Sequence, residues 1–349
     1  MQGNKRGRVL TGIRPTGRLH LGHYVGALKQ WIPLQDDYEC FFLIADVQAL
    51  TTHAGNRELI ERSVREVVLD FMAVGLDGSR DNVYFVLQSA VPALTELTTY
   101  LSMVTPQTWI DSNPTIKDEL KTRRTDVTVG FMTYPVSQAA DITLFSGDPK
   151  THPGESILVP VGEDQIPHLK STNDIVNAFH RMYGPVVLMQ CAPKVSNIGR
   201  LVGTDGQGKM SKSMDNVIEL ADLTEAVRKK VQGMFTDPKR IRADIPGDTE
   251  DNPVFIYHRA FNPNANEVAE LTKLYQEGRV GDVEVKARLF AALEMFLAPI
   301  RERRHEAEKL HIEGDLLAVG NARARRIGKL TIERVREAMG LNYPNLFNE

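Results

Sequence analysis

Apolar and polar residues follow two different patterns along the chain. In residues 1–190, short apolar runs alternate with segments whose apolar residues recur at helical spacing. The helical segments are residues 21–31 and 57–74, and the second stops at Gly75, a natural C-terminal cap. The predicted strands are residues 8–13, 40–45, 83–87, 157–161 and 186–189. This order predicts a parallel sheet wrapped by crossover helices, with the last two strands near its centre.

The β pattern ends at about residue 203. The chain beyond it is helical and charged, with Pro/Gly-rich breaks such as residues 244–253. Residues 283–300 carry apolar side chains on one face, and residues 316–339 form a last helix rich in arginine. We therefore predict a second, all-helical domain, with a single large α/β domain as the alternative for a chain of 349 residues.

The composition narrows the class of protein. Hydrophobic residues at 42% and charged residues at 25% are typical of a globular protein, and a net charge of -3 argues against binding nucleic acid over the whole surface. Two cysteines, Cys40 and Cys191, are too few for a disulfide framework or a four-ligand zinc site, which favours a reducing compartment. No apolar run has the length of a signal peptide core or a membrane span, so we expect a cytoplasmic protein without a membrane partner.

The strongest local motif is TGIRPTGRLHLGHYVGAL, residues 11–28, in which a strand ends in a Gly/Pro turn and a helix begins at His20. A helix N-terminus offers unpaired N–H groups and the positive end of its dipole, and so attracts phosphate. His20 and His23 lie three residues apart and add two donors on the same side, while Gly22 lets a flat base approach the backbone. Taken alone, the motif is also compatible with two ordinary surface histidines after a turn.

A second motif, GTDGQGKMSKS at residues 203–213, is a glycine-rich loop with two lysines, Lys209 and Lys212, and two serines. A positive loop that closes over a departing pyrophosphate stabilises the transition state more than the ground state. The lysines alone are also typical of a solvated basic loop. The GxxxxGK pattern of a phosphate-binding P-loop requires Ser or Thr next, and Met210 stands there instead.

In this order the two motifs resemble the HIGH and KMSKS signatures of class I aminoacyl-tRNA synthetases. Two further segments, TYPVSQAADI at residues 133–142 and LVPVGEDQ at residues 158–165, look like the amino-acid-binding and GxDQ motifs of the tryptophanyl and tyrosyl branch. Within this branch the chain is most similar to the bacterial tryptophanyl enzymes. The similarity extends from Val9 to the arginine-rich last helix.

The resemblance implies a Rossmann-like doubly wound parallel sheet with a C-terminal all-helical domain, in a homodimer. Residues 1–202 correspond to the catalytic domain, with a dimer-forming insertion at about residues 95–135. Residues 203–315 correspond to the lysine loop and a helical anticodon-binding domain. Residues 316–349 correspond to a C-terminal helix that returns to the catalytic domain.

By the same resemblance, the family's functional residues fall on particular positions of this chain. Catalytic roles are implied for His20, His23, Lys117, Lys209 and Lys212. ATP contacts are implied for Arg14, Gly22, His23, Gly162, Asp164, Lys209, Met210, Ser211 and Lys212. Tryptophan contacts are implied for Leu10, Gln48, Tyr134, Gln138, Asp141, Val159, Val161 and Gln165. In this scheme Asp164 binds the ribose, Tyr134 and Gln165 meet the α-ammonium group, and Asp141 accepts the indole N–H, which is a donor only.

Three pocket positions depart from the common bacterial pattern. Gln48 replaces a histidine, Leu10 an aromatic residue and Gln138 a methionine, and residues 146–156 form a longer Gly/Pro-rich stretch. Gln138 resembles tyrosyl enzymes of archaeal type, which makes tyrosine the alternative substrate. Leu10 argues against tyrosine, because those enzymes place a tyrosine there as a partner for the phenol hydroxyl. A missing polar partner can cost roughly 10⁴ to 10⁵ in discrimination.

The implied activity is activation of L-tryptophan with ATP to tryptophanyl-adenylate and pyrophosphate, followed by transfer to tRNA(Trp). Mg²⁺ enters with ATP as part of the substrate complex, and no structural metal or prosthetic group is expected. Two basic clusters are candidate tRNA contacts, although each is also typical of a solvated helix face. They are Lys239, Arg240 and Arg242, and Arg323, Arg325 and Arg326. Another nucleotidyl-transferring α/β enzyme and a tRNA-like binding module without catalysis stay open as rival functions.

Overall fold

The structure, a computed structural model, describes residues 7–122, 126–195, 201–208, 210–237, 240 and 242–343. Its described strands form one parallel sheet in the order β3-β2-β1-β4-β5. The strands are β1 (Arg8–Ile13), β2 (Glu39–Ile44), β3 (Val83–Leu87), β4 (Ile157–Val161) and β5 (Cys191–Val195). The order reverses between β1 and β4, as in a doubly wound fold, and this confirms the predicted fold class.

Helices cover both faces of the sheet and make up the described chain after β5. They are α1 (Leu21–His23), α2 (Lys29–Trp31), α3 (Leu34–Asp37), α4 (Asp46–His53), α5 (Arg57–Val74), α6 (Pro92–Ser102), α7 (Gln107–Ser112), α8 (Pro114–Thr122), α9 (Val129–Thr143), α10 (Ile166–Tyr183), α11 (Thr224–Gln232), α12 (Pro253–Phe261), α13 (Ala265–Gln276), α14 (Asp282–Leu310) and α15 (Glu313–Met339). Short 3₁₀ helices lie at Gln88–Ala90, Glu163–Gln165 and Lys212–Met214. Within the described ranges, no helix has the length and apolar character needed to cross a membrane.

The interior strand β2 is buried on both faces. Phe42 packs against Trp31 on one face, with ring centroids 5.6 Å apart, and Phe41 packs against Phe145 on the other, at 4.5 Å. Successive side chains of a strand point to opposite faces, so a strand covered on both sides requires an uninterrupted apolar run. The apolar run at residues 40–45 therefore encodes this position in the sheet.

The fifth strand was predicted at the wrong residues and at the wrong position in the sheet. Residues 186–189 form an irregular segment, and β5 begins after it, at the edge of the sheet and away from its centre. Leu188 is nevertheless fully buried, and the main-chain N–H of Met189 donates to Ser146 Oγ at 2.8 Å. The apolar run is buried as a loop whose main chain finds side-chain acceptors, so apolar residues alone did not identify a strand.

The predicted helix at residues 21–31 forms, with an interruption. A π-helical turn at Tyr24–Leu28 separates α1 from α2. Single π-helical turns widen a helix locally and occur frequently at functional sites. Helix α5 ends as predicted, because Gly75 adopts a left-handed φ of 103° and closes the last turn.

The helical part of the chain shares a hydrophobic core with one face of the sheet. This cluster is continuous from Phe42 in β2 to Leu293 in α14, and the rings of Tyr24 and Phe296 lie 4.7 Å apart where the two parts meet. The division of the chain between residues 202 and 203 stays a prediction, since the two sides are packed as one core.

The last helix, α15, returns to the sheet and covers the edge strand β3. Asn321 Oδ1 accepts the main-chain N–H of Leu87 at 2.8 Å. Gly320 lies so close to the strand that a Cβ atom on it would come within 1.9 Å of the Phe85 carbonyl oxygen. The absence of a side chain at this position is what lets the helix lie against the strand.

We therefore expect Gly320→Ala to lower the free energy of unfolding by about 1 to 3 kcal/mol, because the added methyl group overpacks a backbone contact. Thermal or denaturant unfolding measures the effect. Gly314→Ala is the matched control, since Gly314 lies in the same helix and a Cβ there meets nothing within 4 Å. Equal stability of the two variants would contradict the contact.

Candidate active site at the carboxyl ends of the strands

A cavity of about 320 Å³ opens at the carboxyl ends of β1 and β4. This is the point where the strand order reverses, the usual ligand-binding crevice of an open parallel sheet. The end of β1 contributes residues such as Thr11, β4 contributes Pro160, and α9 lines the opposite side with residues such as Ile142.

All the residues predicted to contact tryptophan line this cavity. They are Leu10, Gln48, Tyr134, Gln138, Asp141, Val159, Val161 and Gln165. Of the residues predicted to contact ATP, Arg14 and Gly162 line it as well, and Asp164 is exposed beside it and accepts a hydrogen bond from Gln165 Nε2 at 3.1 Å. The structure thus brings the predicted tryptophan residues and part of the predicted ATP group to one crevice.

Asp141 is the buried carboxylate of the cavity, with 5% of its surface exposed. Gln88 Nε2 donates to both of its oxygens, at 2.8 and 2.9 Å, and Gln48 Nε2 donates to Oδ2 at 3.3 Å. Burial raises the pKa of Asp141 to about 7, although the two amide donors act in the opposite direction, and nearby Asp46 adds a further upward shift. The carboxyl group therefore titrates near neutral pH.

Gln88 is a site residue that the sequence analysis missed. It follows β3 directly, and its Oε1 accepts the main-chain N–H of Gln48 at 3.0 Å. This bond fixes the orientation of the amide group, so that its NH₂ faces Asp141. A polar residue at the carboxyl end of a strand beside the crevice was the available signal.

Three further cavity residues, His168, Glu119 and Phe131, were also missed. The Tyr134 hydroxyl lies 3.2 Å from His168 Nε2 and also hydrogen-bonds Glu119. Burial lowers the pKa of His168 to about 4, so the ring is neutral at physiological pH. The carboxylate of Glu119 lies at the end of the cavity near Tyr134.

The two motif histidines form the first turn of the helix together. His20 Nδ1 accepts the main-chain N–H of Gly22 at 3.1 Å, and His23 Nδ1 accepts that of His20 at 3.2 Å. Since both Nδ1 atoms accept, each neutral ring carries its proton on Nε2. Burial, followed by the charge of Lys212, lowers the pKa of His20 to about 4. Burial, followed by the neighbouring His20 and then Lys212, lowers the pKa of His23 well below its usual value.

The lysine loop is closed over this turn. Residues 19–21 pair with residues 218–220 in antiparallel fashion, with Leu21 N donating to Ile218 O and Leu220 N to Leu19 O, each at 2.9 Å. Lys212 Nζ donates to the Thr16 carbonyl at 3.2 Å. The predicted histidine and lysine motifs are therefore in contact.

Gly22 packs closely against protein groups. A Cβ atom on it would come within 2.9 Å of the His20 ring and 3.1 Å of Met210 Sδ. Here the glycine lets the lysine loop pack on the histidine turn. Lys209 lies outside the described residues.

The remaining predicted residues are scattered. Lys117 is exposed on α8 and does not line the cavity, unlike Glu119 in the same helix. Arg240, a candidate tRNA contact, is buried in an ion pair with Asp282 at 2.7 Å, so that prediction was wrong. A run of cationic residues in the sequence does not reveal which of them forms an ion pair with a carboxylate of the same chain.

The second cluster divides in the same way. Arg323 pairs with Glu39, whereas Arg325 and Arg326 are exposed. In the first cluster Arg242 is exposed and pairs with Asp244, and Lys239 lies outside the described residues. Only part of each predicted cluster is open to a partner in the described chain.

The fold is that of a class I tRNA synthetase. The model of the family "tRNA synthetases class I (W and Y)" matches residues 1–298, and the chain belongs to this family. It is 47% identical to a tryptophan–tRNA ligase of Treponema pallidum over 339 residues, 96% of this chain and 97% of the relative. A tryptophan–tRNA ligase of Clostridium longisporum is 44% identical, with 97% and 98% covered.

Solved structures agree with this assignment. The crystal structure of tryptophanyl-tRNA synthetase from Campylobacter jejuni, in complex with ADP and tryptophan, superposes with a TM-score of 0.80 at 30% identity, covering 96% of this chain and 100% of that one. The predicted resemblance to the bacterial tryptophanyl enzymes is therefore confirmed.

The electrostatic contact between the lysine loop and the histidine turn leads to a prediction. Lys212→Met removes a positive charge near the rings, so we expect the pKa of His20 to rise from about 4 toward its usual value. Nitrogen-15 NMR of the imidazole rings measures both this pKa and the Nε2–H tautomer. His168 is the control, because burial and Asp164 set its pKa and its value should not move. An unchanged His20 titration would contradict the contact.

Proposed function

We propose that this chain is a tryptophan–tRNA ligase that activates L-tryptophan with ATP and then transfers it to tRNA(Trp) in the cytoplasm. The observation that carries the proposal is the buried Asp141 carboxylate at the carboxyl ends of the strands. An indole N–H can only donate, so an apolar cavity with one buried acceptor is complementary to it.

The hydrogen bonds around Asp141 leave room for this donor. Oδ2 already accepts from Gln88 and Gln48, while Oδ1 accepts only from Gln88. The second lone pair of Oδ1 is the proposed acceptor of the indole proton. Apolar walls from Leu10 and Val159 then enclose the ring.

At the other end of the cavity, Tyr134 and Gln165 receive the α-ammonium group. The carboxylate of Glu119 beside Tyr134 supports this orientation, because it supplies the charge that an ammonium group requires. Tyrosine fits less well than tryptophan. Its hydroxyl needs a donor as well as an acceptor, and Leu10 offers no polar group.

In the first step the tryptophan carboxylate attacks the α-phosphorus of MgATP in line. The bond from the α-phosphorus to the bridging oxygen breaks. Pyrophosphate leaves, and tryptophanyl-adenylate is formed. His20 and His23 present neutral Nε2–H donors to the phosphates. Lys212 places a positive charge beside the negative charge that develops on the departing pyrophosphate. Lys209 and Asp164 join them by family resemblance, the latter on the ribose.

In the second step a ribose hydroxyl of the terminal tRNA adenosine attacks the acyl carbon, and AMP leaves. The proposed tRNA surface uses the exposed residues Arg325 and Arg326. A homodimer forms through the insertion at about residues 95–135. In that segment Val129 and Met103, with 79% and 65% of their surfaces exposed, supply apolar area for an interface.

Amino-acid-dependent ATP–pyrophosphate exchange tests the proposal directly. With tryptophan, tyrosine and phenylalanine compared side by side, we expect exchange with tryptophan and at least about 10³-fold less with the other two, as polar recognition of the ring allows. Exchange that follows tyrosine would establish the alternative substrate. Absence of exchange with every amino acid would leave the chain a binding module or a different nucleotidyl transferase.

The role of Gln88 gives a second prediction, on pH dependence. Ionised Asp141 accepts the indole proton best, so KM for tryptophan should fall as pH rises through about 7. Gln88→Leu removes the stronger of the two amide donors that lower the pKa of Asp141, so the inflection should move to higher pH. At pH 7, KM for tryptophan should rise about tenfold, as expected for loss of a hydrogen bond to a charged group.

Gln35→Leu is the matched control for this measurement. Gln35 is equally buried and hydrogen-bonded, but it lies at the other end of the sheet and its side chain bonds main-chain groups of Ile32, Gly75 and Asp77 there, away from Asp141. It should lower stability and leave the pH profile of tryptophan binding in place. If both substitutions shifted the profile alike, Gln88 would have no special role.

A further inference from the structure

A buried ion pair lies outside the cavity, where α5, α14 and the histidine turn meet. Asp70 in α5 is fully buried, and its Oδ1 pairs with Nη1 of Arg304 in α14, whose side chain is 6% exposed. The pair spans the sheet side and the helical side of the shared core. Removing charges from water is costly, so a buried pair of this kind contributes little net stability compared with apolar residues of the same size.

The second oxygen of Asp70 holds the histidine turn. Asp70 Oδ2 accepts the main-chain N–H of Leu19 at 2.7 Å, and Leu19 is the residue immediately before His20. Leu19 also accepts the main-chain N–H of Leu220 from the segment after the lysine loop. One carboxylate thus anchors the point at which both nucleotide motifs meet.

Arg304 reinforces the same point through a second acid. Its Nη2 pairs with Glu66 Oε2 at 2.6 Å, and Glu66 in turn pairs with Arg18 Nε at 2.6 Å. Arg18 and Leu19 are consecutive residues of the turn. A single guanidinium group from α14 therefore holds both carboxylates that fix this stretch of main chain.

We infer that Asp70 and Arg304 are positioning residues of the nucleotide site, which set the histidine turn relative to the helical part of the chain. This inference rests on the proposed function. The pair touches neither the cavity nor any residue assigned to tryptophan, so its effect should be confined to the chemistry at the phosphates. Displacement of catalytic groups by about 1 Å can cost about 10²-fold in rate.

Exchange kinetics on the full chain, with ATP and tryptophan varied separately, test the inference. For Arg304→Met we expect kcat to fall at least about tenfold, while KM for tryptophan stays within about twofold. Asp70→Leu, which has no acceptor for the Leu19 N–H, should lose at least as much. Asp70→Asn keeps an oxygen for that N–H and should lose less than Asp70→Leu.

Arg288→Met is the matched control, because Arg288 lies in the same helix and pairs with Glu284 on the exposed surface. It should leave kcat unchanged. Arg304→Lys, which retains one charge, should recover part of the rate. Thermal unfolding of each variant gives the temperature range in which it is folded. Kinetics are compared at one temperature at which all the variants are folded.

A folded Arg304→Met variant with wild-type kcat would overturn the inference, and so would a parallel rise in KM for tryptophan. If the single variants do not fold, the double variant Asp70→Asn/Arg304→Met leaves no unpaired buried charge. A wild-type kcat in this double variant would equally contradict a positioning role for Asp70 and Arg304. Wild-type chain that lacks tryptophan-dependent exchange would instead contradict the proposed function itself.

Discussion

The short antiparallel pairing of residues 19–21 with residues 218–220 is the constraint on which the site depends. It joins the first crossover of the sheet to the segment that follows the lysine loop. Once these two main-chain segments are paired, Met210 can pack on Gly22 and Lys212 can reach the Thr16 carbonyl. Burial of the two imidazole rings lowers their pKa values, and the nearby charge of Lys212 lowers them further, so both rings are neutral. The backbone pairing, the packing of the loop and part of the shift in pKa therefore follow from one contact.

Two buried carboxylates show how the surroundings decide the use of the same group. Asp70 is paired with a guanidinium group, so its charge is neutralised within the protein and serves to hold main chain. Asp141 has only amide donors around it, and its charge is left uncompensated beside a cavity. Burial raises the pKa of Asp70 to about 6, against the opposing effects of Arg304 and the Leu19 N–H, and it raises the pKa of Asp141 to about 7. A neutral N–H donor can satisfy such a group without a full ion pair.

The sequence predicted the features that have a period or a fixed spacing. Four strands follow from short apolar runs, and the motifs that contain His23 and Lys212 are recognisable because their residues are adjacent in the sequence. Single polar residues escaped, since Gln88 carries no spacing that links it to Asp141 more than fifty residues later. Residues 186–189 misled because loops can also be buried, and Arg240 misled because its carboxylate partner comes from another helix. Both errors concern tertiary partners, which local patterns do not encode.

The seat of α15 on β3 has a consequence for biosynthesis. The N–H of Leu87 is satisfied by Asn321, and the next residue along the chain is Gln88, which orients the carboxylate of the cavity. A chain emerging from the ribosome cannot complete this edge of the sheet until residues 313–339 have been translated. Until then β3 presents an open edge of the kind that pairs with other chains. Assembly of the pocket beside β3 therefore waits for α15.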